Sequence, residues 1–447
     1  MSQSAPSTPN RWAIALAGVV VMICLGTAYS WSSFTQPLVA SFQWSNQVTT
    51  WAFAIAIFSL GWGAVIGGRW QDAVGPRTVT LTGVVLWGLG NVLAGLGTSH
   101  FGAPWLYLTY GVIGGIGNGM AYITPVSTVT KWFPDKRGLA SGMVVMGFGL
   151  GAFFYGFVLK ALGGFHTAAK NAAAYADASA AAIKAGQHFD AAQYALSATD
   201  VQAVMNVFIF SGIVYAVLGG ICASLLRNPP AGYNVAGAVA TAASHQRSFT
   251  PAEVLRTPQF YLLWVMLFLN VTAGILIVSN AVPIMRELTG VTAAVAVPAY
   301  GLVAIFNGLG RLVWGAVSDR VGRNMAYVGI FGLQVIVFFV LAGLHSLGAV
   351  LVAFAIVLLC YGGGFGVMPS FNADYFGTKF LGINYGMIIT AWGFGGLVGP
   401  IIAAKVKDAT GSFSGALVPV AVMLLVAAIL PFVTKRPAEN AGRVAVA

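Results

Sequence analysis

The stretches "GRWQDAVGPR" (Gly68–Arg77) and "GAVSDRVGR" (Gly315–Arg323) are one pattern written twice. Each carries a glycine, an aspartate four residues later, then a second glycine and a basic residue: Gly68, Asp72, Gly75 and Arg77 in the first, Gly315, Asp319, Gly322 and Arg323 in the second. Both close a long apolar run. A second matched pair, "WFPDKRGLASGM" from Trp132 and "YFGTKFLGINYGM" from Tyr375, closes two further apolar runs. Matched motifs at matched places mean an internal duplication.

What is duplicated is a set of membrane helices. Of the 447 residues 58% are hydrophobic and 7% charged, against about 25% charged in a soluble domain. A water-facing surface cannot be built from this chain. A crossing needs about 20 apolar residues, and such runs fall near 12–34, 48–68, 78–98, 103–125, 139–162, 203–226, 259–281, 296–316, 325–344, 348–371, 382–403 and 414–434. The expectation is an all-α integral membrane protein of twelve helices in two six-helix halves. Residues 1–226 form the first half, 227–258, with "RNPPAGYN", a cytoplasmic linker, and 259–447 the second half with a short tail. The polar start "MSQSAPSTPNR" precedes an apolar run longer than a signal peptide's, so it reads as a retained first helix.

The net charge of +11 is read as topology, with no nucleic-acid partner. With the amino terminus inside, Arg11, Arg69, Arg77, Lys131, Lys136, Arg137, Arg320, Arg323 and Lys379 all fall in inner loops, while Lys160, Lys170, Lys184, Arg286, Lys405 and Lys407 fall outside. That excess predicts a multi-pass protein of the cell (inner) membrane with both termini cytoplasmic. Cys24, Cys222 and Cys360 are far apart in apolar runs and read as small packing groups. His100, His166, His188, His245 and His345 lie in loops or near helix ends, so no paired haem ligands are expected. No nucleophile motif or metal cluster is seen. The expectation is a carrier without cofactors, not an enzyme, and a monomer.

Two six-helix repeats suggest alternating access around a midplane site, and the duplicated Gly-x-x-x-Asp loop resembles the signature of the major facilitator superfamily. More narrowly, "KWFPDKRGLASG" (Lys131–Gly142), "LRTPQFYLLW" (Leu255–Trp264) and "YFGTKFLGINYG" (Tyr375–Gly386) resemble the oxalate/formate antiporter family and, more distantly, the monocarboxylate porters of lactate and pyruvate. The resemblance extends over nearly the whole chain. It implies that Asp72, Arg77, Asp319 and Arg323 latch the cytoplasmic helix ends. The Ala-rich segment 163–200 departs from it, since the family is usually short there. Alanine favours helix, so a short external helical hairpin is expected, either a tolerated insertion or a cover for the outer mouth.

Arg311 stands eight residues before Asp319 in an apolar run, so it sits about 12 Å into the bilayer. A cation at that depth needs a partner, and no acidic residue shares its level. The expected partner is the substrate's carboxylate, held by the guanidinium fork. The resemblance agrees, placing the family's anion-binding arginine of helix 8 on Arg311. It also puts Trp392 where the oxalate porters carry a second cation, a lysine. One fixed charge favours a monocarboxylate over a dianion. Asn307, one turn away on the same face, can bond a carboxylate or hydroxyl. The resemblance adds Tyr29, Tyr122 and Tyr361 as cavity residues, with Phe365 and Trp392 as apolar walls. Glycines four apart, such as Gly111, Gly115 and Gly119, allow close helix contact.

The reading is therefore a secondary transporter of small monocarboxylates, by proton symport or anion exchange. A dicarboxylate–monocarboxylate antiporter and an anion channel are the alternatives. Animal monocarboxylate porters carry a proton on an aspartate where this chain has Asn307. A proton route would need Asp374, the bound carboxylate or water.

Overall fold

The computed structural model describes residues 9–230, 232–233, 235, 247–410, 412 and 414–438. The middle of the linker, with His245, and the tail from 439, with Arg443, lie outside the described residues. Eleven helices among the described residues are long and apolar enough to cross a membrane. One of them, Pro76–Trp132, has 57 residues, about 86 Å of helix and more than two bilayer cores. Gly102 breaks it at φ 71°, ψ −158°. Only glycine enters that region without strain. The described residues thus make twelve crossings.

They are α1 (Arg11–Phe42), α2 (Asn46–Val74), α3 (76–101), α4 (103–132), α5 (Arg137–Ala161) and α6 (Ala198–Leu225), then α7 (Pro258–Thr289), α8 (Val295–Val321), α9 (Arg323–Leu341), α10 (Leu347–Phe376), α11 (Leu381–Lys407) and α12 (Ser414–Val433). Most overrun the apolar cores read from sequence, because capping residues extend them into the interface. Ser45, Ser197 and Ser346 each accept from a backbone N–H of the first turn of α2, α6 and α10. Several helices are irregular inside: α8 is interrupted at Ala304 and α12 at Ala428–Ile429. α1 tightens to a 3₁₀ turn at Thr27–Trp31, and α4 opens to a π-turn at Tyr107–Gly114.

In the first half α3 packs on α6, α2 on α4, and α1 on α5 and α6; in the second, α7 packs on α10 and α11, and α9 on α10 and α12. The halves meet along two seams, α2 against α11 and α5 against α8 and α10. The seams are narrow because glycines line them. A Cβ on Gly68 would overlap the Gly382 carbonyl, and one on Gly315 would overlap that of Gly138. These are the first glycines of the duplicated motif. The second ones, Gly75 and Gly322, end α2 and α8 at φ 90° and 88°.

The Ala-rich segment is one long helix, Gly163–Ala185, followed by a 3₁₀ turn at Ala191–Tyr194, rather than a hairpin. It lies against the end of α1 and against α5 and α6. Phe165 meets Phe34 at 5.2 Å, Ala172 and Tyr175 pack on Val39 and Ala40, and Leu196 donates its N–H to the Ala40 carbonyl at 3.3 Å. All three cysteines are buried and free.

Candidate functional site

α8 is held between two glycine faces. Gly142 and Gly149 of α5 lie on one side, Gly362 and Gly366 of α10 on the other, each against the backbone or side chain of Asn307, Gly308 or Arg311. This close approach sinks Arg311 to 0% exposure between the halves. Its Nε donates to Asn307 Oδ1 at 3.2 Å and its Nη1 to the Val145 carbonyl at 3.3 Å. Nη2 is buried without a hydrogen-bond partner. Among the described residues no ion pair involves Arg311. Asn307 therefore orients the arginine here.

Aromatic rings surround the guanidinium. Its Cζ stands 4.9 Å from the Phe365 ring centre and 5.5 Å from that of Phe148. The Trp392 ring lies 4.8 Å from Phe365, 5.2 Å from Phe148 and 5.5 Å from Tyr122. Tyr29, on the 3₁₀ turn of α1, shares a 2.9 Å hydrogen bond with the Tyr361 hydroxyl across the halves. Tyr361 lies about 22 Å along α10 from Phe376, and Arg311 about 15 Å along α8 from Val321, so this bridge sits on the far side of Arg311 from the motif loops. Tyr29, Tyr122, Asn307, Arg311, Tyr361, Phe365 and Trp392 are thus brought together.

Two further residues join them that sequence reading passed over. Phe148 shows only as an aromatic among the glycines of "GFGLG". Tyr385 stands seven residues before Trp392, two turns along the same face of α11. It is fully buried and within electrostatic reach of Tyr122 and Arg311. The hydroxyls of Tyr122 and Tyr385 and the indole N–H of Trp392 have no well-formed hydrogen bond.

The motif residues lie elsewhere, on the basic side of the molecule. Asp319 accepts from the N–H groups of Gly138 and Leu139, both at 2.8 Å, at the start of α5. Asp72 accepts from Gly382 and Ile383 at 3.3 and 2.9 Å, at the start of α11. Each aspartate so caps a helix of the opposite half, where the helix dipole favours an anion. The cations differ between the seams. Arg323 binds Asp319 at 2.8 Å, whereas Asp72 is met by Lys131 at 3.6 Å. Arg77 is exposed and, among the described residues, makes no ion pair.

Asp374 also belongs to this cluster. It accepts from Arg137 at 2.9 Å and from Arg323 at 2.8 Å. Aligning Trp132 with Tyr375 makes Lys131 and Asp374 counterparts in the two repeats, so the duplicated position carries opposite charges. On the same side the linker's end is tied down: Phe249 donates its N–H to the Phe376 carbonyl at 2.9 Å and accepts from Asn384 at 3.1 Å.

The comparisons with known proteins agree with this architecture. The profile of the Major Facilitator Superfamily matches residues 16–400 and 308–446. The oxalate:formate antiporter of Oxalobacter formigenes is 30% identical over 410 residues, covering 90% of this chain and 87% of that protein. Apicoplast pyruvate carrier 1 of Toxoplasma gondii is 26% identical, covering 87% of this chain and 82% of that one. The solved structure of FucP in its outward conformation superposes with a TM-score of 0.68 at 14% identity, covering 95% of this chain and 99% of FucP. These relatives are transporters rather than enzymes. With twelve crossings, two seams and the duplicated motif in place, the chain belongs to the Major Facilitator Superfamily.

Proposed function

We propose that this protein is an alternating-access carrier exchanging small monocarboxylate anions across the cell membrane, with its basic side and both termini in the cytoplasm. One observation carries the reading: Arg311 is buried between the halves, aromatic on two sides, with an unpartnered Nη2 and no carboxylate beside it. A buried guanidinium keeps its proton, so its missing counter-ion is supplied by the cargo. The proposed substrate site is Arg311 with Asn307, Tyr29, Tyr122, Tyr361, Phe365 and Trp392. Asp72, Asp319, Arg323, Asp374 and Arg137 form the cytoplasmic gate.

Charge counting supports a monoanion. Trp392 stands where the resemblance puts a second cation. Of the two other lysines within chain reach, Lys379 lies in the α10–α11 loop, 5.3 Å over the Phe380 ring, and Lys405 is exposed. A second carboxylate in the site would meet only neutral dipoles. Exchange is favoured over proton symport for a related reason. The empty site can cross its occluded state only with Arg311 unneutralised, a costly species in low dielectric, whereas the loaded site crosses as a neutral pair.

The test is uptake of labelled pyruvate, lactate, formate and oxalate into proteoliposomes, with and without preloaded anion and imposed pH gradients. Preloading should accelerate uptake, which a channel would not show. Arg311→Ala and Arg311→Lys should abolish binding in a protein that still folds, the second because a point charge lacks the fork. Binding that survives Arg311→Ala sinks the reading.

A further inference from the structure

We infer that the site selects a 2-oxo monocarboxylate, and that Tyr385 and Trp392 read the oxygen beside the carboxylate; this rests on Arg311 being the carboxylate site.

The donors on Arg311 can be counted. Nε is committed to Asn307 and one N–H of Nη1 to the Val145 carbonyl. Three N–H groups remain, one on Nη1 and two on Nη2, and one carboxylate spanning the Nη1–Nη2 edge takes two of them. Besides the last Nη2 N–H, three neutral donors beside the guanidinium are left over. Trp392 Nε1, Tyr122 Oη and Tyr385 Oη are all in fully buried side chains, all neutral, and all without a well-formed hydrogen bond. They stand beside one another: Trp392 is 5.5 Å from Tyr122 by ring centres, and Tyr385 lies within electrostatic reach of Tyr122 and Arg311.

The chemistry of that set decides what completes it. The indole N–H only donates. Asn307 Oδ1 already accepts from Arg311 Nε, and the Tyr29 hydroxyl already bonds that of Tyr361. A cargo that brings a third acceptor close to its carboxylate therefore completes the set. Formate has only hydrogen there, and a simple alkanoate has only carbon, so both leave the donors unmet at the cost of buried, unpaired polar groups. A dicarboxylate brings a second negative charge to neutral donors. A carbonyl oxygen on the adjacent carbon has two lone pairs and no charge, and it accepts from Trp392 and a tyrosine together. A hydroxyl there accepts from Trp392 but must also place its own hydrogen on a tyrosine oxygen. Phe148 and Phe365 flank the guanidinium, apolar walls that suit a short alkyl group.

Pyruvate, lactate and propionate share three carbons and one charge, and differ only in that oxygen. Their affinities for the purified full-length carrier, measured by isothermal titration, test the inference. Pyruvate should bind more tightly than propionate by about tenfold or more, as expected where buried donors lose a partner, with lactate between them. Tyr385→Phe and Trp392→Phe should each compress the pyruvate-to-propionate ratio at least ~5-fold toward unity; either variant alone suffices if the other fails to fold. Equal affinity for pyruvate and propionate in wild type, with both lost in Arg311→Lys, overturns this inference and leaves the carboxylate site standing. A ratio unchanged in both variants removes Tyr385 and Trp392 from the selection. Binding of all three acids by Arg311→Ala overturns the inference and the reading beneath it together.

Discussion

Arg137 on α5 donates to Asp374 on α10 at 2.9 Å, joining the two halves on the side of the motif loops. Asp374 is also bound by Arg323, which binds Asp319, which in turn caps the start of α5. The chain of charges closes on itself across one seam. Across the other, only the two backbone donors of α11 reach Asp72, which is paired with Lys131 of its own half.

Breaking these links should open the cytoplasmic side. Asp72→Asn and Asp319→Asn keep size but remove the charge that two N–H groups and a cation share, and Arg137→Ala removes the crossing pair. Each should raise labelling of a cysteine introduced at the inner mouth roughly 5- to 150-fold, the span of a 1–3 kcal/mol bias between two states. Arg137→Ala combined with Asp374→Asn should fall short of the sum of the single effects, since both break one bond. Labelling equal to wild type in every variant would make these carboxylates ordinary helix caps.

Trp392→Lys should turn the preference toward dicarboxylates. A second fixed cation beside Arg311 offers a second carboxylate its counter-charge and has no partner when a monoanion is bound. In a lactate–oxalate competition at neutral pH, wild type should favour lactate and the variant should shift toward oxalate by about tenfold or more. Wild-type preference for oxalate over every monocarboxylate would mean that another cation reaches the site.

Gly315→Ala should loosen the α5–α8 seam, because its Cβ would overlap the Gly138 carbonyl. We expect a lower Tm, by about 1–3 kcal/mol of overpacking, and faster labelling at the inner mouth. Gly332→Ala on α9, with nothing within 4 Å of the added Cβ, should be neutral or slightly stabilising. Thermal melting of the two variants side by side separates seam geometry from helix propensity.

Glu253 supplies a pH dependence. It closes a capping box with Thr250 at the linker's end and pairs with Arg247. The Thr250 backbone N–H, with the Thr250 hydroxyl and Arg247, holds its carboxyl below the usual glutamate value, against a smaller effect of burial. A depressed folded-state pKa contributes stability above the unfolded value, and that stability is lost as pH falls through the folded one. Glu253→Gln should therefore melt below wild type at neutral pH. The gap should close under acid conditions, beneath about pH 4. A gap independent of pH would assign the loss to packing.

The duplication was readable because glycine and aspartate are needed by backbone geometry, and geometry repeats with the fold: Gly75 and Gly322 share a positive φ, and Asp72 and Asp319 each face a helix start. Arg311 was readable because a charge stands out against an apolar run. Tyr385 and Phe148 were not, since an aromatic residue in a membrane helix has the same composition whether it faces lipid, a neighbour or a cavity. Nor could spacing reveal that Asp374 is clamped by Arg137, from a position 237 residues away in the chain. The 3₁₀ turn that presents Tyr29 carries no Pro in Thr27–Trp31 to announce it.

The opposite charges at the duplicated position have a consequence for assembly. If two copies of the first half docked as the two halves do here, Lys131 of each would face Arg137 of the other, cation against cation. In a pair of second halves, Asp374 would lose Arg137, the cation that reaches it from across the seam. Only the mixed pair balances. The molecule is built like a symmetric dimer, yet its two parts carry a lock and a key rather than two locks. Halves expressed as separate chains should accordingly co-purify with each other and not with themselves, and exchanging Lys131 for Asp should weaken that choice.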